Sequence, residues 1–188
     1  MLVTILPELP KGALPPVAPG YRYTMEDIAA IDRMCDEEVI RGRRIRYFED
    51  VEIGEELQPT IYGPITPFDS MVGCASVGAT TIPMREVRRQ TPDATFLDPV
   101  TNVSHKEIEI HVSDEAARLV SGRPVGVGYE VLMCRTVTNW MGDDGLYRFL
   151  NWRNYGAMEM GSTIFCKGRV LRKYEEDGEH RVDILTWL

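Results

Sequence analysis

The stretch "STIFCKGRVLRKYEEDGEHRVDILTWL", Ser162 to Leu188, decides the fold class. Two runs rich in apolar and β-branched residues, STIFCKGRVLRKY and HRVDILTWL, flank EEDGEH, which has Asp177-Gly178 at its centre. Asp-Gly between such runs signals a tight hairpin, because its central residues need positive φ and glycine takes it without a steric cost. Two long antiparallel strands are therefore expected at the C-terminus. LYRFLNWRNY, Leu146 to Tyr155, is a third candidate strand just upstream. Such a sheet must bury one face, so a covering helix is required.

The clearest helix start lies in GPITPFDSMVGCASVGA, Gly63 to Ala79. Thr66 stands at the N-cap, Pro67 at the first helical position, and Asp69 completes a capping box. Phe68, Met71, Val72, Ala75 and Ala79 fall at helical spacing, while Gly73, Cys74, Ala75, Ser76 and Gly78 are small enough to let a sheet approach closely. Pro67–Gly78 is therefore the expected central helix. KEIEIHV, Lys106 to Val112, alternates strictly and predicts a strand, with Ile108, Ile110 and Val112 on one face and Glu107, Glu109 and His111 on the other. Ser113 can cap a helix beginning at Asp114. RPVGVGYEVLMCRTV, Arg123 to Val137, reads as a glycine-rich turn leading into a second short helix.

Further upstream, YFEDVEIGEEL suggests the start of a strand with a turn at Gly54, and Thr24 with Asp27 starts a helix carrying Ile28, Ile31, Met34 and Val39. The first 20 residues hold five of the 12 prolines and read as an extended arm. The organisation is an arm over 1–20, an N-terminal helix over 21–45, and one α+β domain over 46–188.

Composition narrows the function. With 44% hydrophobic and 27% charged residues, the chain has the profile of a soluble globular protein. A net charge of -8 disfavours a phosphate-backbone partner. RGRRIR, Arg41 to Arg46, is the single basic patch and reads as a solvated helix end. No apolar run reaches the roughly 20 residues of a membrane span. The N-terminus lacks the charge and cleavage pattern of a signal peptide. Cys35, Cys74, Cys134 and Cys166 form no C-x-x-C, so no zinc site is expected and a reducing, cytoplasmic setting follows. Read from the residues alone, His111 is a polar strand residue that can pair with Glu107, Glu109 or the Ser113 turn. Gly126 and Gly128 read as turn glycines, Asp143-Asp144-Gly145 as a turn before a strand, and Trp140 as a core or interface aromatic. His105 and His180 belong to no pattern. Ser70 and Ser76 lack a nucleophile elbow, and Cys74 lacks a basic neighbour.

YFEDVEIGEEL…GPITPFDSM, IHVSDEAARLV and the run from Asn139, NWMGDDGLYRF through KGRV to the C-terminus, together resemble the MaoC-like hot-dog dehydratases, in the branch with fatty-acid-synthase-type N-terminal dehydratase domains. The resemblance runs from about Arg46 onward. It implies a single hot-dog fold, an antiparallel sheet wrapped around one helix. It also implies a homodimer or a hetero-oligomer with another hot-dog subunit. The implied activity is hydration or dehydration of acyl thioesters on coenzyme A or acyl carrier protein, with no cofactor and no metal. The family's catalytic histidine falls on His111. Its oxyanion glycine falls on Gly126 or Gly128. Met71 and Trp140 are placed beside the acyl chain, and Pro67–Gly78 in the tunnel wall. Lys106 stands where the family has an aspartate, so the second acid/base group is unassigned, with Asp93, Asp98 or a partner subunit as sources. The missing aspartate also admits a non-catalytic subunit or thioester-binding module.

Overall fold

In the computed structural model, residues 22–76, 82–113, 116–117, 126, 129–153 and 158–188 are described. Along the chain they form α1 (Met25–Asp36), β1 (Glu56–Tyr62), α2 (Pro67–Ser76), α3 (Met84–Gln90), β2 (Thr95–Leu97), β3 (Ser104–Lys106), α4 (Tyr129–Met141), β4 (Ile164–Glu176) and β5 (Glu179–Trp187). Short 3₁₀ turns cover Pro92–Ala94 and Glu107–His111. The arm over 1–20, the end of the expected helix at Gly78, the helix start at Asp114, and Gly128 lie outside the described residues.

The hairpin forms at Asp177-Gly178, both at positive φ (55° and 75°). It joins β4 to β5, and β4 pairs antiparallel with β1 on its other side, giving the order β1-β4-β5. β2 and β3 make a separate two-stranded antiparallel ladder. Along β4, Cys166, Gly168 and Val170 are buried while Phe165, Lys167 and Arg169 are exposed, the period-2 pattern of a sheet with one covered face.

The helix on that face is α4. Leu132 and Met133 pack with Ile65, Met158 and Cys166. One turn on, Val137 packs with Val51, Leu57 and Val170, and Trp140 and Met141 lie against the same cluster. The result is an α+β arrangement, a three-stranded antiparallel sheet laid against one helix. The expectation for Pro67–Gly78 is corrected here. α2 packs chiefly on the Glu107–His111 turn and touches the sheet through the Asp69–Tyr62 hydrogen bond, while α4 lies on β1 and β4. Its Phe68, Met71 and Val72 are exposed, and its buried side chains are Ser70 and Cys74. Leu132, Met133 and Val137 give α4 the large side chains that fill the space over the sheet.

A buried polar pair ties α4 to β1. Thr60 and Thr136, 3% and 1% exposed, share a hydrogen bond of 2.6 Å, and Thr136 Oγ1 donates to Leu132 O at 3.1 Å. Thr136→Val should cost about 1–3 kcal/mol in urea denaturation by orphaning the Thr60 hydroxyl. Thr60→Val/Thr136→Val should recover much of that loss.

Three further expectations change. The run predicted as a strand over 106–112 is a 3₁₀ turn over Glu107–His111, because the Glu109 side chain takes over local donors. Glu109 Oε1 accepts from the Lys106 N–H at 2.9 Å, and Ser113 and Val112 N–H donate to Glu109 O. In a 3₁₀ turn, residues three apart share a side, so Ile108 and His111 no longer face opposite ways. Leu146–Arg153 is irregular, with Leu146, Phe149 and Trp152 exposed. Its apolar residues never settle into period 2. Arg41–Arg46 is a turn docked on the end of α4, where a helix end was expected. At the N-terminus, the Thr24–Asp27 capping box forms as expected, and Gly54 sits in its turn at φ 90°. No helix among the described residues is long and apolar enough to cross a membrane.

Candidate functional site

The segment carrying β3 and the following turn concentrates acid–base groups. β3 pairs with β2 so that His105 lies opposite Phe96, and the two rings stack with centroids 5.3 Å apart. His105 Nδ1 lies 2.8 Å from Glu109 Oε2. The other Glu109 oxygen is held by the Lys106 N–H. The carboxylate is thereby fixed by the backbone on one side and the imidazole on the other. With Nδ1–H donated to Glu109, the Nε2 lone pair is left over. His105 Nε2 is buried and has no hydrogen-bond partner among the described residues. Such an orphan costs about 1–3 kcal/mol, which a purely structural histidine has no reason to carry.

Beside the pair lies a cleft of about 210 Å³ between α2 and this turn, lined by Cys74, Lys106, Ile108, Glu109 and Val112. Burial pushes the Cys74 thiol up from its ordinary value. It therefore stays protonated at neutral pH and is no thiolate nucleophile. Of the His105–Glu109 pair, Glu109 is the member that lines the cleft, with Lys106 beside it. Ser70, one helical turn before Cys74, is also buried, and its hydroxyl has no partner among the described residues. No group of three or more candidate metal-binding side chains occurs among the described residues.

α2 is held at its start by the predicted box. Thr66 N–H and Oγ1 donate to Asp69 Oδ2 at 2.8 and 2.6 Å. The Thr66 hydroxyl bond, more than any other contact, holds the Asp69 carboxyl below its usual value. A lowered folded value means that this contribution to stability is complete above the unfolded aspartate value of about 3.9 and is lost as pH falls through the folded one. Asp69→Asn should flatten the acid limb of a Tm-against-pH curve below about pH 4.

Of the site residues expected from the sequence, none of the described ones is in the lining of this cleft. His111 ends the 3₁₀ turn, half-buried, next to the lining residue Val112. Met71 is exposed on α2, away from the buried Ser70 and Cys74. Trp140 sits at the C-terminal end of α4. There its Nε1 donates to Glu55 Oε1 at 2.8 Å and the Arg46 guanidinium lies 4.2 Å over its ring. Gly126 N–H donates to Met158 O at 2.6 Å, and a Cβ there would lie 2.8 Å from Met158 Cε. That amide is committed to the protein's own backbone, so in this conformation it is no oxyanion donor. Asp98 is buried and binds its own turn, accepting from Val100 N–H and Thr101 Oγ1. Asp93 lies exposed in the Pro92–Ala94 turn. The pair that sequence reasoning missed, His105 with Glu109, had one available signal, an i,i+4 spacing that only a helical backbone brings together.

No protein-family model and no curated protein matches the chain. Among solved structures it is similar to the monoamine oxidase regulatory protein from Archaeoglobus fulgius, at 18% identity and a TM-score of 0.46, covering 76% of this chain and 84% of that one. Nothing about chemistry is drawn from so distant a likeness.

Proposed function

We propose that the chain is an acid–base hydro-lyase acting on acyl thioesters, adding water to an enoyl thioester or removing it from a 3-hydroxyacyl thioester. The single observation that carries this reading is the His105–Glu109 pair, in which Glu109 lines the cleft and the buried Nε2 of His105 has no partner among the described residues. In hydration, Nε2 takes a proton from water and the water oxygen bonds to the β-carbon. The double-bond pair moves to the α-carbon through the thioester enolate, and the imidazolium returns its proton there. One base on one face accounts for both proton transfers. Glu109 holds the ring tautomer and stabilises the imidazolium. His111, the residue that the resemblance implies, competes for the same role.

The test is to supply purified protein with crotonyl-coenzyme A and a longer enoyl thioester and follow loss of the enoyl absorbance. Turnover that His105→Ala abolishes supports the proposal. Turnover that survives His105→Ala and vanishes in His111→Ala moves the role to His111. One observation favours a second reading, a non-catalytic hot-dog subunit: the Gly126 amide is already spent on Met158. No turnover alone, with activity restored by a second hot-dog subunit, supports that reading.

A further inference from the structure

The turn over Arg41–Arg46 docks on the C-terminal end of α4. Arg41 N–H donates to Asn139 O at 3.1 Å, Asp143 N–H donates to Gly42 O at 2.9 Å, and Arg41 Nε and Arg46 Nε both donate to Trp140 O, at 2.8 and 3.2 Å. Cations here satisfy orphan carbonyls and oppose the negative end of the helix dipole. This accounts for one N–H of the Arg41 guanidinium. It leaves the Arg41 Nη groups and Arg44 unexplained.

Those groups border a cleft of about 170 Å³, with Arg46, Gln58, Asn139 and Trp140 among its other walls. Three carboxylates also line it, Glu38, Glu55 and Glu56. Each is already ion-paired: Glu38 with Arg135, Glu55 with Arg46 at 2.9 Å, and Glu56 with Arg169 at 3.0 Å. Arg41 and Arg44 have no carboxylate partner among the described residues. Arg44 makes one long contact, Nε to Arg41 O at 3.5 Å. Two guanidiniums with no direct ion pair among the described residues thus share one small cleft on a chain of net charge -8. Burial, then the neighbouring Arg46 and Arg44, push Arg41 below the usual arginine value against the opposing pull of Glu55 and Asp50.

We propose that this cleft binds a phosphate-type dianion, gripped by the Nη groups of Arg41 and Arg44. Planar guanidinium forks match tetrahedral oxyanions bidentately, and surplus positive charge supplies the attraction. The volume is below the roughly 300 Å³ at which pockets begin to enclose whole organic ligands. It fits a free phosphate or the terminal phosphate of something longer. The site lies apart from the His105 cleft and stands whether or not the acid–base reading holds.

Isothermal titration calorimetry of the full chain with inorganic phosphate, at constant ionic strength set by sodium chloride, tests the site. Saturable binding is expected in the wild type, weakened about tenfold or more in Arg44→Gln with the unliganded Tm unchanged. Arg43→Gln, on the same turn but outside the cleft, should bind like the wild type. Competition by ribose 5-phosphate assigns a phosphomonoester, and failure to compete assigns free phosphate. No saturable heat in the wild type, equal affinity in Arg44→Gln, or equal loss in Arg43→Gln would each overturn the site.

Discussion

His105→Ala is expected to lower kcat for enoyl-thioester hydration by about 10²–10⁴-fold, the range that a positioned general acid–base contributes. The variant removes Nε2 and frees Glu109 from its 2.8 Å partner. The loss of the Phe96 stacking and the Glu109 bond is offset in part because the deletion also removes a buried ring nitrogen that has no partner among the described residues. A KM close to the wild-type value with a collapsed kcat separates chemistry from binding. Glu109→Gln can still accept from Nδ1 but stabilises an imidazolium less well, so it should fall between the wild type and His105→Ala. An intact kcat in His105→Ala removes His105 from the reaction. A large fall in Tm that tracks the loss of rate would make the residue structural.

Gly63→Ala should give the largest loss of stability among substitutions at Gly42, Gly54, Gly63, Gly126, Gly142, Gly145, Gly161, Gly168 and Gly178. Gly63 has φ 124°, a conformation that L side chains rarely adopt, and an added Cβ would lie 2.6 Å from Ser162 O and 2.9 Å from Thr163 Cα. Both obstacles are backbone, so no side-chain rotation relieves them. They belong to the strap where Ile65 N–H donates to Ser162 O at 2.9 Å and Gly161 N–H donates to Ile65 O at 2.8 Å, tying the end of β1 to the approach of β4. Strain plus clash should cost about 3 kcal/mol or more. In a chain of this size that is a fall in Tm of roughly 6–12 °C by thermal scanning. Gly54→Ala is the control. Gly54 has φ 90°, and a Cβ added there would meet nothing within 4 Å, so it should lose only about 1 kcal/mol. Equal losses at the two positions would show that dihedral strain alone, without the clash, sets the cost.

Local signals suffice where the determinant is local. Asp177-Gly178 turns the hairpin because two adjacent residues must tolerate positive φ. Thr24–Asp27 and Thr66–Asp69 start their helices because each side chain reaches a backbone donor three residues away. The alternation of β4 marks a sheet with one covered face. These features depend on contacts within a few residues, and the sequence by itself determined them.

Competition between distant segments decided the rest. Both α2 and α4 carry apolar residues at helical spacing, and only packing selects the one whose Leu132, Met133 and Val137 fit between β1 and β4. The alternation of KEIEIHV is equally good for a strand. It becomes a 3₁₀ turn because the Glu109 carboxylate binds the Lys106 amide and His105, a pair that exists only once the backbone has curled. The resemblance read from the sequence points to His111, whereas the orphan nitrogen belongs to His105, whose partner is invisible to a period-2 reading. RGRRIR reads as a solvated patch until Glu55 pairs with its Arg46, Glu38 and Glu56 pair with Arg135 and Arg169 from distant elements, and Arg41 and Arg44 are left without a direct ion pair among the described residues. Charge balance and burial are sums over neighbours far apart in the chain, and tertiary structure alone supplies those neighbours.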